Sequence, residues 1–305
     1  MFDGHGGHSC AQFLKANLLS NLLQSADFPS NLPEALRQTY FETDRQFHVV
    51  RESQRRRRRP ESPLGTAPDS EAVIVSLQAC QEGREEPSGS TAVTAVFWGR
   101  EIWLANAGDS RAVLCRKGKA VQLTRDHRPD THREEVERVE QLGGYICSDG
   151  FLGGELAVTR ALGDWHLEDL KEFGLHPDQL KLSNEPEVFR LSLGPDDEFL
   201  VIACDGLWDV LSNSRVIELA KLSLRDRNDP QVCAEELVDA AKKANATDNI
   251  TASVGRDLGG GEAEEAGDSG LATATYPSNH TPRVPLAGDR RVPEGRAQAG
   301  HAAQL

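Results

Sequence analysis

The chain has 305 residues, 38% of them hydrophobic, which is enough for one large core without disulfide or metal staples. Its 34 basic and 48 acidic side chains leave a net charge of −14, which argues against general nucleic-acid binding and suits a soluble protein whose acidic site concentrates cations. No stretch approaches about 18 apolar residues and no basic segment leads into an apolar one at the N-terminus, so no membrane span or signal peptide is expected and the chain reads as cytoplasmic or nuclear. Cys10, Cys80, Cys115, Cys147, Cys204 and Cys233 include no C-x-x-C pair, and Cys115 and Cys204 sit in apolar runs, as buried thiols do.

In chain order, Leu14, Leu18 and Leu22 at i+4 spacing predict a helix over 9–24. Leu36, Tyr40, Phe41 and Phe47 predict a second over 33–50, with Pro33 in its first turn. Residues 53–88 are rich in Arg, Glu, Pro, Ser and Gly and read as a mobile insertion, and the five arginines at 55–59 are a solvated loop, a nuclear-import signal or a dock for an acidic partner. Strands at 92–98, 101–107 and 111–115, with turn signals at Gly99-Arg100 and Gly108-Asp109 and a short fourth strand after Gly118, predict an antiparallel meander. A helix over 131–142 precedes short Gly-rich strands to 157. Strands at 187–193 and 197–204, helices at 213–225 and 230–246, and a strand at 250–254 complete the order. From 255 to 305 no apolar period remains, which predicts a disordered tail. Strands and helices come in blocks, which favours an α+β fold with antiparallel sheets.

Three acidic clusters lie far apart: Asp3-Gly4-His5-Gly6-Gly7, Asp205-Gly206-Leu207-Trp208-Asp209 and Asp248-Asn249. Each carboxylate taken singly is an ordinary turn or cap residue. As a set they differ, because the apolar run 199–204 ends at Asp205 and a second β-prone run starts just after Asp248. Carboxylates at converging strand tips suit Mg²⁺ or Mn²⁺, hard ions that favour oxygen ligands from several segments.

These clusters, with Gly89-Ser90-Thr91-Ala92, Ala107-Gly108-Asp109-Ser110-Arg111, the segment from Leu156 through Arg160 to Asp164, Glu185-Pro186-Glu187 and Thr247-Asp248-Asn249-Ile250-Thr251, follow in order the motifs of the metal-dependent type 2C protein serine/threonine phosphatases. The chain resembles that family from residue 2 to about 254, most closely its plant members. The resemblance implies two central antiparallel sheets flanked by helices, an α-β-β-α sandwich, and hydrolysis of phosphoserine and phosphothreonine in phosphoproteins by a metal-activated water. It also implies that Asp3 bridges two Mg²⁺ or Mn²⁺ ions, that Asp205 and Asp248 hold the first, that the Gly4 carbonyl contributes to the second, and that Asp109 and Asp209 match a weaker third site. His5 is then the general acid, as an imidazole beside a carboxylate can be. His8 reads as the start of the helix, Asp209 also as a helix cap, Arg160 with Asp164 as a structural ion pair, and Trp208 as core.

Family members carry, before the first Asp-Gly-His, an opening strand pair with a phosphate-gripping Arg and an acidic pair, and this sequence starts at Met1-Phe2-Asp3. The expectation is therefore a catalytic domain at 1–254 whose first edge strands are missing, as in a truncated or incompletely predicted gene product, and which acts as a monomer. The rival expectation is a phosphatase-like binding or regulatory module impaired in catalysis. A serine hydrolase using Ser9 or Ser90 is disfavoured, because no G-x-S-x-G elbow is present.

Overall fold

The computed structural model describes residues 1–58, 87–256, 258 and 271–277. Two antiparallel sheets lie face to face. The first has the order β1 (Phe2–His5), β2 (Gly89–Trp98), β3 (Glu101–Ala107), β7 (Glu187–Ser192), with the short β6 (Leu162–Gly163) also on β2. The second runs β10 (Leu271–Tyr276), β9 (Ile250–Arg256), β8 (Asp197–Ala203), β4 (Arg111–Arg116), β5 (Lys119–Gln122). Alternation along each strand splits the apolar residues into two faces. Val93, Ile102 and Leu104 meet Ala112, Leu114, Leu200 and Ile202 between the sheets.

The outer faces are covered by helices. Residues Cys10, Phe13, Leu14, Leu18 and Leu22 of α1 (Ser9–Gln24) pack with Leu36, Tyr40 and Phe47 of α2 (Leu32–Arg58) over the first sheet. On the second sheet, α5 (Asn213–Arg227) contributes Val216, Ile217 and Ala220, and α6 (Pro230–Lys243) contributes Cys233, Leu237 and Ala241. Both are capped as their sequences ask: Ser212 Oγ accepts from Arg215 N–H at 3.3 Å, and Asp229 precedes Pro230 at the first helical position. Of the remaining helices, α3 (Arg133–Gln141) buries Val139 against Leu152, Val158 and Leu182, and the short α4 (Asp205–Trp208) buries Leu207 and Trp208 in the cluster on the second sheet. The result is the four-layer α-β-β-α architecture, and no described helix is long and apolar enough to cross a membrane.

Four expectations change. The meander breaks at Gly108–Ser110, where the chain leaves the first sheet and enters the second, so Asp109 stands on a crossover and not in a hairpin. Both flanking strands are buried on both faces next to the crossover, without a break from Leu104 to Ala107 and from Ala112 to Cys115, which a one-sided meander would not require. Among the described residues, 144–157 forms only isolated bridges, Ile146 to Leu152 and Leu152 to Leu156. The second helix continues to Arg58, since Arg is a good helix former and Arg55 pairs with Glu52 at 3.5 Å, so residues 53–58 belong to it. Finally, β9 reaches Arg256 and Leu271–Tyr276 pairs along it, with Ala274 in the core and Tyr276 under Lys242 at 4.4 Å. That strand lies inside the tail expected to be disordered, while the rest of the tail and most of the insertion fall outside the described residues.

Candidate functional site

The site forms where the tips of strands from both sheets meet. Asp3 and His5 lie two residues apart on β1 and so on one face, and β1 is held to β2 in register, with Asp3 opposite Thr91 and His5 opposite Gly89. From the other sheet, β8 ends at Ala203 and Asp205 opens α4 directly after Cys204. A methyl group on Gly206 would lie 2.1 Å from the Asn249 carbonyl, so only glycine lets α4 start this close to the entry of β9. The Asp3 and Asp205 carboxylates and the Cys204 Sγ come within 4.8 Å of one another. Asp248 stands outside this tight set, exposed, with Oδ1 accepting from Asn249 N–H at 2.6 Å.

Like charges crowd here. Burial first, and then the neighbouring Asp205 and Asp109, push the Asp3 carboxyl well above the usual carboxylate range. Asp205 is raised by burial and by Asp248 and Asp209, and its Oδ1 is buried with no hydrogen-bond partner. Asp109 is pushed up to about 7 by burial and by Asp205, against the pull of Arg128. That arginine spans the rim: its Nη1 donates to Asp209 Oδ1 at 2.8 Å and its Nε lies 3.6 Å from Asp109 Oδ2. Nothing in its local pattern marked Arg128 as a site residue, since its partners are 19 and 81 positions away in sequence by the numbering. Asp209 therefore serves an ion pair, and Ser212 caps the following helix.

His5 has a partner that sequence reasoning assigned elsewhere. Its Nε2 lies 2.7 Å from Asp164 Oδ2, with the ring 29% exposed and Asp164 1% exposed. The expected Arg160–Asp164 pair does not form; Arg160 donates to Glu135 instead, through Nη2 to Oε1 at 2.6 Å and Nε to Oε2 at 3.0 Å. A methyl group on Gly89 would lie 2.0 Å from Asp164 Oδ2 and 2.3 Å from His5 Nε2, so the glycine makes room for the pair. His8 precedes α1 without a side-chain cap bond. Trp208 is buried, and its indole N–H donates to Ala203 O at 2.9 Å. Ser90 is buried and donates to Thr91 O at 2.8 Å.

The sequence profile described as protein phosphatase 2C matches residues 1–250. The chain belongs to the protein phosphatase 2C family. Probable protein phosphatase 2C 57 of Oryza sativa subsp. japonica is 40% identical over 252 residues, covering 82% of this chain and 59% of its own length. Probable protein phosphatase 2C 27 of Arabidopsis thaliana is 39% identical over 251 residues, 82% of this chain and 56% of the relative. The chain spans 59–62% of the first curated relatives it matches. Among solved structures, a sex-determining protein of C. elegans matches with a TM-score of 0.61 at 26% identity, over 84% of this chain and 55% of that one. A serine-threonine phosphatase 2C of Toxoplasma gondii, at 22% identity and a TM-score of 0.57, shares the fold over 83% of this chain and 82% of its own.

The donor set of this phosphatase 2C site fits a hard divalent cation. Asp205 Oδ1 is buried and unpartnered, and the half-buried Asp3 and Asp205 carboxyls are raised by burial and then by neighbouring carboxylates, Asp205 acting on Asp3 and Asp248 on Asp205. A cation between them would let these carboxyls ionise together.

Proposed function

We propose that this chain hydrolyses phosphoserine and phosphothreonine monoesters in proteins with Mg²⁺ or Mn²⁺ held at its acidic cluster. The observation that carries this reading is the placement of the Asp3–Asp205 carboxylates beside the His5–Asp164 pair, with Asp3 and His5 on one strand tip. Asp3, Asp205, Asp248 and the Gly4 carbonyl would hold two ions, with Asp109 and Asp209 at a weaker third position. Bound there, the ions acidify a water and offset charge on the phosphoryl oxygens.

The protein's own part is to supply the leaving group's proton. Asp164 accepts from the Nε2–H of His5, which leaves Nδ1 to carry the transferable proton of the imidazolium. As the P–O bond breaks, that proton passes from Nδ1 to the departing seryl or threonyl oxygen, which would otherwise leave as a strongly basic alkoxide. Burial disfavours the charged ring, but Asp164, joined by Asp109, outweighs it and raises the His5 pKa, which favours the acid form. Arg128 holds Asp109 and Asp209 together at the rim. No covalent enzyme intermediate enters this reading.

The test is phosphate release from a phosphothreonine peptide by the whole chain with and without Mn²⁺. Metal-dependent release that falls in Asp205→Asn and in His5→Ala supports the reading. Release that ignores Mn²⁺, or that both variants leave intact, sinks it.

A further inference from the structure

Behind His5 lies a second ion pair that the reaction itself does not touch. Lys171 Nζ is 2.8 Å from Asp44 Oδ2, and both side chains are 0% exposed. Apolar residues of similar volume often replace such a pair without loss of stability, so stability alone does not account for it. Its hydrogen bonds converge on one short segment. Asp44 Oδ1 accepts from the Gly163 backbone N–H at 2.6 Å and from the Trp165 indole N–H at 3.1 Å, and Oδ2 accepts from Asn184 Nδ2 at 2.7 Å. Lys171 donates to the carbonyls of Ala161 at 3.2 Å and Gly163 at 2.9 Å, and stands 4.6 Å over the Trp165 ring.

The residue between the gripped positions is Asp164. It has φ +55, in the left-handed region that non-glycine residues seldom adopt and that a surrounding structure must impose. Its own N–H is tied to Ser88 O at 2.9 Å, and its carboxylate holds His5. Gly163 is held through both its N–H and its carbonyl, and Trp165 through its indole, so the buried pair fixes the backbone just before Asp164 and the side chain just after it.

We infer that Asp44 and Lys171 are positioning residues for delivery of the leaving group's proton: they clamp residues 161–165 so that Asp164 keeps the His5 ring aimed at the departing oxygen. This rests on the reading of His5 as general acid. A clamp with that purpose matters in proportion to the leaving group's need for a proton. A serine or threonine oxygen needs one, and 2,4-dinitrophenolate departs without it.

The experiment measures kcat and KM of the full Mn²⁺-loaded chain on a phosphothreonine peptide and on 2,4-dinitrophenyl phosphate. His5→Ala checks the reading underneath, and should lose about 100-fold or more on the peptide and under about tenfold on the aryl ester. A uniform loss, or none on the peptide, removes the general acid and the inference with it. Given that selectivity, Asp44→Asn and the doubly neutral Asp44→Asn/Lys171→Met should lose about 10- to 100-fold in kcat on the peptide and under about threefold on the aryl ester, with KM within about twofold. Equal losses on both substrates, a change in KM alone, or full activity overturns the positioning role. Asn184→Ala removes one donor to Asp44 without stranding a charge, and should show the same selectivity at about two- to fivefold. If the charge variants do not fold, Asn184→Ala decides: a response equal on both substrates makes the network structural only and refutes the inference.

Discussion

Asp109 and Glu135 are buried to nearly the same depth, 4% and 3% exposed, yet their acidities move in opposite directions. Burial penalises both carboxylates. At Glu135 the penalty is more than offset: Arg160 donates twice, Arg138 Nη2 donates at 3.0 Å and Thr159 Oγ1 at 2.9 Å, and the group is held well below the usual carboxylate range. The arginines are themselves completed by carbonyls, Arg138 by those of Leu180, Thr159 and Lys181 and Arg160 by that of Glu185. Around Asp109 the nearest influences are mostly other carboxylates, and Arg128 answers only part of the charge. The fold completes the charge at Glu135 and answers that at Asp109 only in part.

The comparison predicts opposite outcomes for the same chemical change. Glu135→Gln strands Arg160, 13% exposed, beside Arg138 and should cost about 3–5 kcal/mol in urea unfolding, as breaking a buried pair does. Asp205→Asn should leave the metal-free chain as stable as before or more so, because it removes one of several repelling carboxylates. Its cost falls on function: Mn²⁺-dependent turnover should drop by about 10²–10³-fold, or roughly 2.7–4 kcal/mol of barrier. A metal-free Asp205→Asn that unfolds as easily as Glu135→Gln would erase the distinction.

Acidity sharpens it further. A carboxyl raised in the folded state contributes stability that is full below its unfolded value and is lost as pH climbs through the folded one, from 3.8 to about 7 for Asp109. Glu135 does the reverse, with its contribution full above 4.5 and lost as pH falls below that. In EDTA, Asp109 should therefore withdraw on the order of 1–3 kcal/mol between about pH 5 and pH 8, at up to about 1.4 kcal/mol per pH unit for each proton retained. The Met1 amino group and His127, lowered by burial, add stability as pH rises, so the Asp109 share is the difference between the chain and Asp109→Asn. Saturating Mn²⁺ should remove most of that decline, since the ion takes the place of the protons. Melting curves of the chain and of Asp109→Asn in both conditions at pH 5, 6, 7 and 8 measure it, and a difference between the two that stays flat with pH in EDTA would show that the Asp109 carboxyl is not raised.

What the sequence disclosed and what it hid divide along the same line. The apolar run 199–204 announced a strand with Asp205 at its end, and the structure has β8 there, because one-dimensional periodicity reports burial directly. Pairings across the sheets left no such trace. Arg160 and Asp164 look like partners at i+4, but that spacing brings side chains together only on a helix, and this segment is an irregular loop entering β6. Their true partners, Glu135 and His5, are 25 and 159 residues away. The Gly108-Asp109 turn signal was real, yet a turn back along one sheet and a step across to the other use the same residues. The strand Leu271–Tyr276 leaves little trace in the sequence because Gly, Ala, Pro and Glu dominate the stretch around it, while six residues suffice to extend the edge of β9.

The smallest effect sets the scale for the others. Glu137 lies two residues beyond Glu135 on α3 and also pairs with an arginine, its Oε1 accepting from Arg133 Nε at 2.8 Å. Here the side chains are 51% and 89% exposed, so water already solvates both charges and screens their attraction. The order is also the weaker one, with the cation N-terminal to the anion at i,i+4, so that each charge opposes the helix dipole. Glu137→Gln should thus cost no more than about 0.3–0.5 kcal/mol in urea unfolding, and less in 0.5 M salt. The same replacement at two positions of one helix would then differ about tenfold in free energy, with burial and partner geometry as the only variables. If Glu137→Gln and Glu135→Gln cost alike, the Glu135 network is no more completed by the fold than a surface pair, and the contrast with the strand-tip carboxylates fails.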